Sequence, residues 1–265
     1  MISQINRFVN NGAGLEKTLR LIQSSAQVAS VFTVNSTAVR LTTAKLQLAL
    51  TRRFFRFFGF IESFQRVAAL LNRDAMGSIS GWLDMAKWTC FGFYFVLEDL
   101  TILHAMGVYA VPWEERIMRE ANTYWFYALC FSLLGTIYAL LFSSNESQSK
   151  GKGKRGGRKS EKAAAAPKID SSALWTAFVI DGCDLLIPAE LLDWMPTGDL
   201  VIGSTMILST LLAARGIWKK VLIWQKMDSR GIEPRTTPML REYYTTKPQA
   251  QLNEKRASFR LYEPR

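Results

Sequence analysis

The sequence predicts an all-α integral membrane protein, in which N-terminal amphipathic helices precede two membrane-spanning helices. Three observations carry this prediction. Residues 123–142 (TYWFYALCFSLLGTIYALLF) hold no charge over twenty positions. As a helix rising about 1.5 Å per residue, they would reach about 30 Å, the thickness of a hydrocarbon core. Residues 200–218 (LVIGSTMILSTLLAARGIW) carry one charge, Arg215, close to the end and just before Lys219 and Lys220. Residues 52–73 (RRFFRFFGFIESFQRVAALLNR) set a Phe-rich stripe against arginines at helical spacing.

Residues 1–87 form the N-terminal amphipathic region. The opening has Arg7 but no long apolar core behind it, so it does not read as a secretory leader. Leu15, Leu19, Ile22 and Ala26 recur at helical spacing, Leu41, Leu46, Leu48 and Ala49 less regularly, and Asn35 to Thr37 suggests a break. Projected as one continuous helix at about 100° per residue, Phe54, Phe57, Phe58, Phe60, Ile61, Phe64, Val67, Ala68 and Leu71 share one half. Arg52, Arg56, Gly59, Glu62, Ser63 and Arg66 occupy the other, Arg53 lies at the entry end, and Phe55 and Leu70 fall off the apolar stripe. This pattern suits the boundary of an anionic phospholipid membrane. The apolar face inserts beneath the headgroups, while Arg52, Arg53, Arg56 and Arg66 bind the phosphates above. Insertion into one leaflet expands it relative to the other and favours curvature. An ordinary bundle helix with its Phe face in a protein core would show the same stripe.

Residues 88–122 comprise an apolar helix and a connector. The run 88–106 is apolar but places Glu98 and Asp99 side by side near its middle. Two carboxylates in hydrocarbon are costly, so this helix is expected against protein or near the surface rather than across the bilayer. The span 123–142 has Trp125 and Tyr127 at its start, where interfacial rings belong, and Ser132 and Gly135 as a small-residue contact surface. Residues 143–168 form a basic, glycine-rich flexible loop with eight basic and two acidic residues. Charge without a fold to present it does not make a nucleic-acid site.

Residues 169–199 read as an acidic amphipathic segment. Asp181, Asp184, Glu190 and Asp193 interrupt its apolar run, and Pro188 should kink or end the helix. The span 200–218 follows. Residues 219–265 form a basic tail, eleven basic against five acidic, expected to be disordered. Two crossings place the 143–168 loop opposite both termini, which leaves the positive-inside tendency unsatisfied for three basic zones.

Motifs for chemistry are missing from the sequence. No phosphate loop, dinucleotide fingerprint, HExxH, CxxC or GxSxG occurs. His104 is the single histidine, and Cys90, Cys130 and Cys183 sit in apolar settings. The sequence therefore predicts no catalytic residue, no cofactor and no metal.

Three blocks together have a familiar order: RRFFRFFGFIESFQRVAALLN at 52–72, WLDMAKWTCFGFYFVLEDLTILHAMG within 81–107, and DGCDLLIPAELLDW at 181–194 with a glycine-containing span and Trp218-Lys219 behind it. In this order and character the chain resembles peroxisomal membrane proteins of the peroxin-11 type, the fungal branch most closely, over residues 1–226. The resemblance implies a non-enzymatic protein of the peroxisomal membrane that forms homo-oligomers, elongates the membrane before fission and promotes peroxisome proliferation. It also implies recruitment of the organelle fission machinery, including a dynamin-related GTPase. The family's tubulating helix falls on Arg52 to Leu71 here. Some members are linked to passage of small metabolites, so a channel or transporter-like role is the alternative, with Glu98 and Asp99 on its path. The tail 227–265 departs from the family pattern, and targeting is expected to survive its deletion.

Overall fold

The computed structural model describes residues 2–72, 77–149 and 171–228. Their regular elements are α-helices: α1 (Ile2–Val9), α2 (Gly12–Val31), α3 (Asn35–Arg56), α4 (Gly59–Leu71), α5 (Ile79–Leu100), α6 (Ile102–Ala105), α7 (Glu114–Ser149), α8 (Ser171–Leu191) and α9 (Asp199–Asp228). The basic loop expected at 143–168 is helical up to Ser149, and the tail expected from 219 is helical up to Asp228. The remainder of both lies outside the described residues. The chain divides into two compact units, residues 1–218 and 219–265. The contacts below belong to the first; the described part of the second is the end of α9.

Local chemistry sets the helix ends. Asn11 Oδ1 accepts the Ala13 N–H at 3.1 Å to open α2, and Ser78 Oγ accepts the Gly81 N–H at 3.1 Å to open α5. Glu114 and Glu115 in the first turn of α7 face the positive end of its dipole. Glu190 Oε2 accepts the Thr197 Oγ–H at 2.9 Å, which ties the α8–α9 turn, and Gly198 there takes φ 83°, a conformation glycine adopts without strain.

The long helices pack antiparallel. Along α5 and α7, Leu83 lies opposite Gly135, and the rings of Phe93–Tyr124 and Tyr94–Trp125 each sit 5.3 Å apart. Along α7 and α8, Ser132 meets Asp181 and Phe126 meets Trp194. Along α2 and α9, Gln27 bonds Asp199 at 2.8 Å, Val28 touches Gly203, and Arg20 bonds Ser209 at 3.2 Å. Before α2, Phe8 of α1 meets Trp218 at a tilt, with ring centroids 5.5 Å apart.

This packing buries polar groups beside a small apolar core and leaves many large apolar side chains outside. Arg20, Gln23, Ser24, Gln27, Glu98, Thr101, Ser209 and Thr210 are buried, while Ile22, Phe32, Leu134, Leu141, Trp175, Leu208 and Leu211 are exposed. Water would favour the reverse; a hydrocarbon solvent favours this one. Small side chains, Ala121, Ala128 and Ala189, occupy the buried contacts of α7 and α8 and let their backbones approach.

Three helices, rather than the two expected, are long and apolar enough to cross a membrane: α7 over Glu114–Phe142, α8 over Ser171–Leu191 and α9 over Asp199–Ile223. Asp181 and Asp184 disguise α8 in the sequence, yet they are the only charged residues between positions 171 and 188. Pro188 is accommodated within α8 rather than ending it, and it is buried.

Candidate membrane-contact site

The Phe-rich segment is not one helix. α3 ends at Arg56, Phe57 turns out of it at φ −54°, ψ 133°, Phe58 is left-handed at φ 65°, and α4 starts at Gly59. The projection of residues 52–73 on a single helical wheel therefore fails at its centre. The reason lies on α5. Asp99 Oδ2 accepts the backbone N–H of Phe58 at 3.2 Å. Just before the corner, Arg53 Nη2 donates to the Glu98 carbonyl at 2.6 Å and to Thr101 Oγ1 at 2.7 Å, and Arg56 Nη2 donates to Glu98 Oε1 at 2.7 Å. Just after it, Gly59 lies against the Phe95 ring. The end of α5 thus grips both arms of the corner.

The four arginines expected at the headgroups are placed unequally. Arg53 and Arg56 face Glu98, as described. Arg52 donates to Glu16 Oε1 at 2.9 Å and to Gln23 Oε1 at 2.8 Å. Arg66 alone of the four stays at the surface, its side chain 43% exposed, bonded to Glu62 at 2.6 Å and 4.0 Å over the Trp88 ring. Glu98 is further satisfied by the Tyr94 hydroxyl, which donates to Oε1 at 3.0 Å. Burial pushes the Tyr94 phenol up. Burial would lower the Arg56 guanidinium, but Tyr94 and Glu98 outweigh it and raise it. Burial also raises the Asp99 carboxyl, against the opposing pull of the Phe58 amide.

The apolar residues expected to enter the membrane do gather at an open surface. Phe54, Phe57, Phe58, Ile61, Phe64, Ala68 and Leu71 are exposed, and Phe60 and Val67 are half-buried. Phe55, left off the expected stripe, is exposed beside them. The rings of Phe57 and Phe58 meet edge-on at 4.4 Å, and those of Phe58 and Phe60 at 6.1 Å. Phe64 is shared with the protein: its ring closes on Gly92 and meets Phe93 edge-on at 5.9 Å. Sequence reasoning missed the clamp formed by Glu98 and Asp99. Their adjacency in an apolar run was its visible half; the partner arginines were assigned elsewhere. Among the described residues no three His, Cys, Asp or Glu side chains cluster as metal ligands would.

Residues 2–218 match the family model of Peroxisomal biogenesis factor 11 (PEX11). The chain belongs to the PEX11 family. PEX11 proteins are biogenesis factors rather than a known enzyme family; they act in peroxisome proliferation and fission and are associated with the peroxisomal membrane. The PEX11 match holds the whole corner, α7 and α8, and stops at Trp218, where the first compact unit also ends. No curated protein and no solved structure matches the chain.

Proposed function

We propose that this PEX11 protein elongates the peroxisomal membrane before fission by seating the α3–α4 corner in one leaflet. The observation that carries this reading is the contiguous exposed apolar surface at the corner, with Phe54, Phe55, Phe57, Phe58 and Ile61 open on a protein that also carries three helices apolar enough to cross a bilayer. An apolar patch of this kind on a water-facing surface would drive association, whereas at a membrane boundary lipid chains cover it. Anionic phospholipids provide the bilayer, and Arg66 meets their headgroups, while Arg52, Arg53 and Arg56 set the angle of the corner. Copies of the chain self-associate to add their wedges, and the elongated membrane recruits the fission machinery with its dynamin-related GTPase. The occupation of Glu98 by two guanidinium groups favours this reading over solute passage, because the carboxylate is taken up by the protein.

Reconstitution of the full chain into liposomes containing anionic lipid tests the proposal. Electron micrographs should show tubules with the wild-type chain and round vesicles with Ile61→Glu, at equal protein incorporation. Tubules that persist in Ile61→Glu and in Phe58→Ser would overturn it.

A further inference from the structure

Asp181 and Asp184 stand one turn apart, well inside α8, the least apolar of the three candidate spans. A different helix meets each carboxylate. Ser132 of α7 donates to Asp181 Oδ2 at 2.6 Å. Arg20 of α2 donates to Asp184 with both terminal nitrogens, Nη1 to Oδ2 at 3.1 Å and Nη2 to Oδ1, and Nη2 also reaches Ser209 Oγ of α9 at 3.2 Å. Arg20 is 6% exposed, and its Nε has no partner, so its side-chain hydrogen bonds go to α8 and α9. The seat of α2 is close: a Cβ on Gly203 of α9 would stand 2.7 Å from Val28 Cγ2.

We propose that α8 is a conditional crossing, held across the bilayer by Arg20. A lone carboxylate within hydrocarbon is expelled toward water, whereas one held by a two-pronged guanidinium is tolerated. Arg20 is supplied from a helix near the start of the chain, so the N-terminal region becomes a structural member of the membrane domain rather than an attachment to it. The charge pattern along the sequence agrees for two of its three basic zones. With α8 crossing, two passages separate the basic residues of 143–168 from those that follow α9, which assigns both to one side as the positive-inside tendency favours. With α8 off the membrane, one passage separates them.

The test uses the full chain in intact peroxisomes, with the native cysteines replaced and single reporter cysteines at Ser160 or Thr197. Labelling is by a membrane-impermeant maleimide before and after detergent. In the parent chain one reporter should label and the other stay protected until detergent is added. Arg20→Asp and Asp184→Arg should each make the two reporters alike. The exchanged pair, Arg20→Asp with Asp184→Arg, and the conservative Arg20→Lys should return them to opposite behaviour. Reporters that behave alike in the parent chain, single reversals that leave them opposite, or failure of both rescues would overturn the proposal. The readout is sidedness, so it stands or falls apart from tubule formation.

Discussion

Asp99 accepts the backbone N–H of Phe58 at 3.2 Å, so a carboxylate near the end of α5 holds the left-handed residue on which the Phe-rich segment turns. A bulky aromatic residue rarely takes this conformation, because its Cβ crowds the following carbonyl. The neighbouring Glu98 holds Arg53 and Arg56 on the approach to the same turn. The run of phenylalanines and the acidic pair, forty-one residues apart in sequence, are two halves of one joint.

Phe58→Gly should relieve the joint. The left-handed conformation costs a non-glycine residue about 1–2 kcal/mol, and glycine adopts it freely. The unfolding midpoint of the detergent-solubilised chain should rise, while binding to anionic vesicles falls with the lost ring. A lower midpoint would mean that the contacts of the Phe58 ring with Phe57 and Phe60 outweigh the backbone strain.

The Asp99 carboxyl, raised by burial from an ordinary value of 3.8, gives a signed pH dependence. A group whose folded value is raised holds its proton more tightly in the folded chain than in the unfolded one. Its contribution therefore favours folding most at low pH and declines as pH climbs from 3.8 through the raised folded value. Asp99→Asn keeps an acceptor for the Phe58 amide and removes the titration. Thermal unfolding across the acid range should show a flatter profile for Asp99→Asn than for the parent chain.

The arginines should separate into structural and surface classes. Removing the carboxylate in Glu98→Ala takes the buried counter-charge from Arg53 and Arg56 and the acceptor from Arg56, while Arg53 keeps the residue-98 carbonyl and Thr101; the loss should be about 3 kcal/mol. Arg66→Ala breaks an exposed pair and should cost less than about 1 kcal/mol. In vesicle flotation, Arg66→Ala should lower binding to anionic membranes and leave binding to neutral ones unchanged.

Gly92→Ala places a methyl group 2.7 Å from the Phe64 ring. The ring must move, at a cost of about 1–3 kcal/mol, and α4 should loosen from α5. Hydrogen exchange should quicken in α4 and stay unchanged in α7.

Much of the fold was legible from periodicity and apolar length. The N-terminal helices and the apolar stretches of α7 and α9 announced themselves in this way, because burial in lipid or protein selects the same residue types along a whole turn-by-turn face. The corner was not legible. Phe57 and Phe58 carry no turn signal, and the force that bends the chain there comes from Asp99. Opposite a Phe stripe, an arginine reads the same whether its partner is a phosphate or a protein carboxylate, so Arg52, Arg53 and Arg56 could not be told from Arg66. α8 was hidden for a related reason: Asp184 looks fatal to a span until Arg20, 164 residues away, is brought to it.

The ring of Phe93 stands between Phe64 on α4 and Tyr124 on α7, with centroids 5.9 Å from the first and 5.3 Å from the second. Three aromatic plates therefore join α4 to the candidate span α7 by way of α5. Under the wedge mechanism proposed above, a tug on the corner would reach that span through packed rings, and bending and anchorage would work as a single lever.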